Sequence, residues 1–161
     1  MKIFNKFLVS LLLFAFGITC VYAAEITKFS KGFKKAFKDC DRYEETIKSE
    51  FEGRQFTTHR QIKGWKNGFC DYQEIIATQD EKYQLNCDFT GVQVDELSES
   101  MKDRSREIIK HELDVFLEQT DPKTGKIRYT VGGTTTIKGN KAFITWAKYQ
   151  NNPYFCKRKK L

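Results

Sequence analysis

The stretch KYQLNCDF, Lys82–Phe89, decides the fold. Tyr83, Leu85, Cys87 and Phe89 alternate with Lys82, Gln84, Asn86 and Asp88, the period of a strand buried on one side. A cysteine on the apolar face places a disulfide in the core. The run before it, Phe69 to Ala77, puts Cys70, Tyr72 and Ile76 on one side. A hairpin centred on Thr78 and Gln79 would set Cys70 opposite Cys87, close enough for a bridge across a non-hydrogen-bonded pair. Cys40 would then be left for Cys156.

Further upstream, Lys66-Asn67-Gly68 is a turn signal, because Asn and Gly accept positive φ. Before it, Phe56 and Ile62 share a face, and Tyr43, Ile47 and Phe51 share another beyond a turn at Glu52-Gly53-Arg54. Residues 42 to 90 therefore read as an antiparallel meander. Such a sheet needs a cover for its apolar side, and KFSKGFKKAFKDC, Lys28–Cys40, supplies one. At 100° per residue Phe29, Phe33, Ala36, Phe37 and Cys40 fall on one arc, with Lys31, Lys34, Lys35 and Lys38 opposite. Taken alone, that pattern also suits a helix lying on an anionic membrane. A bridged Cys40 would draw the phenylalanine face inward.

Downstream, Thr90 followed by Gln93 resembles a capping box. Val94, Leu97, Met101, Ile108, Ile109, Val115 and Phe116 share a broad helical arc, so residues 90 to 120 read as one long helix. Glu112 falls within that arc, either at a bend or lining a cleft. Asp121-Pro122-Lys123-Thr124-Gly125 ends the helix. Residues 127 to 137 and 143 to 149 then read as a hairpin turning at Gly139-Asn140. Gly132-Gly133 marks a bulge rather than a phosphate cradle, since no helical pattern follows. The expected fold is α+β: an antiparallel meander sheet covered on one face by an N-terminal helix and a long central helix, with a C-terminal β-hairpin and two disulfides.

The chain has 161 residues and begins with a basic Lys2 and Lys6, an apolar run from Phe7 to Val21, and a Val21-Tyr22-Ala23 cleavage signal. Residues 1–23 read as a signal peptide. A retained anchor or a lipid on Cys20 fits less well, because the run is barely long enough to span and Gly17-Ile18-Thr19 is a poor lipobox. Residues 24–161 are expected to form one domain. They keep Cys40, Cys70, Cys87 and Cys156, an even number in an exported chain without Cys-x-x-Cys spacing, which favours disulfides over metal or thiol chemistry. The leader's form suits a bacterial protein, periplasmic or secreted. The bridges expected from the strand pattern are Cys70 with Cys87 and Cys40 with Cys156. The second would close a long loop, worth roughly 4–5 kcal/mol.

The formal charge of +7 is placed unevenly. Removing the leader lowers it to +5: residues 24–39 carry +3, the run Lys157, Arg158, Lys159 and Lys160 carries +4, and residues 40–156 carry −2. The basic residues of the two ends are candidate contacts for an anion or a membrane surface. Nucleic acid is not expected as a partner, given export and a net acidic middle. Trp65, beside the Asn67-Gly68 turn, is a candidate partner contact.

Catalytic signals are weak. Glu107 and His111 are four apart, but no second histidine sits at ligand spacing, so no metal is assigned. No phosphate loop, dinucleotide fingerprint or nucleophile elbow is present, and no cofactor is assigned. Glu44, Glu45, Glu50, Glu52 and Glu74 could supply paired carboxylates, though their alternation with Lys and Thr suits a solvated sheet face. The leading expectation is a non-enzymatic exported domain that binds a protein or envelope component. The alternatives are a cationic protein attached to anionic membrane or lipopolysaccharide, and a carboxylate-dependent hydrolase.

Overall fold

The computed structural model describes residues 29–51, 54–103, 105 and 107–161. The expected leader, and the turn expected at Glu52 and Gly53, lie outside the described residues. The first element among the described residues is helix α1 (Lys31–Asp39). Ser30 caps it, its hydroxyl accepting from the Phe33 amide at 2.9 Å. Cys40 ends it in the left-handed region at φ 53°, as Asp41 N–H reaches back to the Ala36 carbonyl at 2.8 Å. Phe33 and Phe37 are fully buried, so the amphipathic stripe is core and not an interfacial face.

Strands β1 (Tyr43–Phe51), β2 (Arg54–Lys66), β3 (Phe69–Ala77) and β4 (Lys82–Phe89) form the expected antiparallel meander. Asn67 at φ 53° and Gly68 at φ 82° make the turn between β2 and β3, with the two positive φ values a tight hairpin favours. β2 bulges between Ile62 and Gly64, where Gly64 sits at φ 97°, a backbone that side chains rarely tolerate.

The turn from β3 to β4 corrects the expected bridges. The ladder closes at Ala77 opposite Lys82, leaving a four-residue loop in which Thr78 N–H donates to the Glu81 carbonyl at 2.8 Å. The longer loop shifts the register by two. Tyr72 then lies opposite Cys87, and Cys70 opposite Phe89. Residues keep their faces but change their neighbours. The bridges are Cys40–Cys70 and Cys87–Cys156, not Cys70 with Cys87 and Cys40 with Cys156. The first ties the end of α1 to β3. The second joins β4 to a last strand, β7 (Cys156–Lys160), through the directly opposed pair Cys87 and Cys156.

The expected long helix is also corrected. Helix α2 runs only from Gly91 to Lys102, with the Thr90–Gln93 capping box formed in both directions. Residues Ile109–Thr120 are instead a strand, β5, paired with β6 (Ile127–Gly139) in a separate two-stranded ribbon. The expected C-terminal hairpin is not formed, because its second half is helix α3 (Lys141–Gln150). Asn140 is not a hairpin turn but the cap of α3, its side chain accepting from the Phe143 amide at 3.0 Å. The α+β class holds, with strand order β1-β2-β3-β4-β7 in the main sheet.

Two cores result. Phe33, Phe37, Tyr72, Phe89 and Trp146 pack ring against ring between the helices and the main sheet, as in the Phe37–Trp146 contact at 5.0 Å. Leu113 and Ile137 at the base of the ribbon pack with Phe143, Ile144 and Ala147 of α3. Helix α3 is thus apolar on both sides, with Trp146 in one core and Phe143 in the other.

Candidate functional site

On the helix-facing side of the main sheet, pairing aligns Glu45, Arg60, Glu74, Leu85 and Arg158 in one cross-strand row. Three of the first four are charged, and all three are nearly buried: side-chain exposure is 11% for Glu45, 12% for Arg60 and 6% for Glu74. Arg60 Nε lies 3.5 Å from Glu74, and its Nη1 lies 3.6 Å from Glu45. The other Glu74 oxygen accepts from the Tyr72 hydroxyl at 3.1 Å and from Gln150 Nε2 at 2.6 Å. The Phe29 and Phe33 rings lie under the guanidinium at 4.9 and 5.6 Å. Sequence alternation placed Glu45 and Glu74 on a solvated face. Their parity with Tyr43, Ile47, Tyr72 and Ile76 was the available signal for the opposite.

The electrostatics are those of a clamp. Burial works against the Arg60 charge, but Glu74, Tyr72 and Glu45 outweigh it and raise its pKa. Burial and the adjacent Glu74 push the Tyr72 hydroxyl well above its ordinary value, so it stays a donor at neutral pH. Glu112, the other carboxylate singled out from the sequence, is exposed on β5 opposite Thr136, away from this row.

The basic residues lie on two separate elements. Lys31, Lys35 and Lys38 are exposed on α1, and Lys34 is half-buried. Cys40 binds Cys70 rather than Cys156, so no bridge joins this helix to the basic strand. That strand, β7, carries Lys157, Arg158, Lys159 and Lys160, all exposed, and forms the edge opposite β1. Trp65 is half exposed, at 50%. Its ring nitrogen donates to the Asp39 carbonyl at 3.0 Å, which pins it over the end of α1.

The feature missed in the sequence is the ribbon. Leu113 and Ile137 bury its base, but beyond the bulge at Val115 and Phe116 the side chains of Phe116, Val131, Tyr129 and Ile127 lie on the opposite face. Gly132 is the unpaired residue, as the double glycine predicted, and a Cβ there would run into Leu117. In the distal half Phe116 pairs with Val131, Glu118 with Tyr129, and Thr120 with Ile127. Tyr154 packs edge-on against Phe116 at 6.2 Å and Tyr129 at 5.8 Å. The ribbon ends in a turn where Asp121 accepts from the Lys123 and Thr124 amides, which lowers its pKa.

Comparison with protein-family models, with curated proteins and with solved structures found no match. Among the described residues there is no group of His, Cys, Asp and Glu able to hold a metal ion, and no helix long and apolar enough to cross a membrane. Fold and bridges together define a small α+β protein stapled by two disulfides, a construction suited to an oxidising, exported setting.

Proposed function

We propose that this is an exported, non-enzymatic binding domain that holds a protein or envelope partner on the distal half of its ribbon. The observation that carries this reading is the exposure of Val131 at 57% and Ile127 at 53% on one face of the distal ribbon, with Tyr154 at 66% packed beside them. Two-stranded ribbons are marginal by themselves, and contiguous exposed apolar surface marks contact sites. The test is cross-linking of the protein in its native envelope, followed by capture. An Ile127→Ser, Val131→Ser variant with unchanged circular dichroism should lose a partner that the parent protein retains. Recovery of the same partners by both proteins would overturn the reading.

A second reading, attachment to an anionic membrane surface or lipopolysaccharide, draws on α1. Lys31, Lys35 and Lys38 are exposed and, among the described residues, none lies within ion-pair distance of a carboxylate. Co-sedimentation with vesicles that did not depend on anionic lipid would remove it. The hydrolase reading draws little support. Glu45 and Glu74 are both nearly buried and both held against Arg60, at 3.6 and 3.5 Å, which leaves neither carboxylate open to a substrate.

A further inference from the structure

The main sheet ends at β7 on the side away from β1. Among the described residues that strand pairs with β4 alone. Phe155 accepts from the Asp88 amide, and the Leu161 amide donates to Lys82, at 3.0 and 2.9 Å. Backbone groups of an antiparallel strand alternate between its two edges, so the amides and carbonyls of Arg158 and Lys160 face outward. Their side chains lie on the helix-facing side, in the rows of Leu85 and Tyr83, while Lys157 and Lys159 lie on the other, beside Asn86 and Gln84.

One inward or edge lysine is enough to block strand addition by a like strand. Here four consecutive cations line the edge, and only Lys160 has an acidic partner among the described residues, Glu81 at 2.7 Å. Lys157, Arg158 and Lys159 face water, repelling one another and any copy of the same strand. A strand bearing carboxylates would relieve that repulsion on both faces while taking the outward amides and carbonyls. We infer that β7 accepts an acidic, extended peptide segment as a sixth strand of the main sheet, by edge hydrogen bonds and alternating ion pairs.

The test uses an acetylated, amidated peptide of four glutamates between two threonines, and the same peptide N-methylated at alternate residues. Methylation keeps the charge and removes edge pairing. The parent peptide should bind, protect the Arg158 and Lys160 amides from hydrogen exchange, and weaken as salt rises. The methylated peptide should bind at least about tenfold more weakly, the loss expected from a few backbone hydrogen bonds. A Lys157→Gln, Lys159→Gln variant, which leaves the Lys160 contact intact, should weaken binding roughly three- to thirtyfold with an unchanged melting temperature. Equal binding of both peptides would overturn the inference, as charge attraction alone. So would binding to phosphatidylglycerol vesicles with no peptide binding, or protection of these amides by self-association without peptide.

Discussion

Replacing Arg60 with methionine tests the charged row most sharply. The side chain fills a site with 12% exposure between two carboxylates of 11% and 6%, with the Phe29 and Phe33 rings on its other side. Removing one partner of a buried ion cluster costs roughly 3–5 kcal/mol, because the remaining charge has neither water nor counter-ion. The lost contact with the rings adds roughly 0.5–1 kcal/mol, and the methionine stem offsets part of the packing. The expected loss at pH 7 is about 4 kcal/mol. With a urea slope of about 2 kcal/mol/M, the midpoint should fall by about 2 M.

Urea unfolding followed by Trp fluorescence, with both bridges oxidised, measures this shift. Adding Glu45→Gln and Glu74→Gln removes both stranded charges and keeps an acceptor for Tyr72. That triple variant should recover at least half of the loss. A deficit below about 1 kcal/mol at pH 7 would mean that water reaches the row and that the clamp is not a structural element.

Three further outcomes are expected. Peptide mapping without reduction should give Cys40 with Cys70 and Cys87 with Cys156, and the chain-entropy model makes the second bridge, across a separation of 69 residues against 30, the more stabilising at about 4.4 against about 3.6 kcal/mol; thermal unfolding of Cys87→Ala, Cys156→Ala beside Cys40→Ala, Cys70→Ala checks the order. Gly139→Ala would drive a methyl into the packed Phe143 ring and should cost about 1–3 kcal/mol, with hydrogen exchange rising first at the base of the ribbon. Burial, then a hydrogen bond to Glu96, pushes the Tyr149 hydroxyl up to about 12. Its contribution is whole below the unfolded value near 10 and is lost as pH rises toward about 12, so Tyr149→Phe should flatten the alkaline loss of stability over that window in a denaturation series.

The meander was legible because each strand is buried on one face only. The alternation in Lys82–Phe89, the Asn67-Gly68 turn and the Gly132-Gly133 bulge are local signals, and each produced the element it implied. Helix α1 was legible too, since one face meets the core and the other meets water. In Lys141–Gln150 the local signal failed for a physical reason. Ala142 to Ala147 are buried between two cores, so the helical period is washed out and the remaining pattern imitates a strand. In Ile109–Thr120 the alternation of Leu113 and Val115 with charged residues was present, but Val94, Leu97 and Met101 before it extended a plausible helix across both segments.

The sequence by itself determined a cysteine-paired α+β chain with a buried phenylalanine stripe and basic ends. Tertiary structure decided the partners. A loop two residues longer than a tight turn moved Cys87 from Cys70 to Cys156 without changing its face. Pairing with β6 made a strand of residues that a helix could also have used. The row of Glu45, Arg60 and Glu74 exists only once three strands are in register. Periodicity reports which side of an element meets water, whereas register and long-range pairing depend on loop lengths and distant strands that no local window contains.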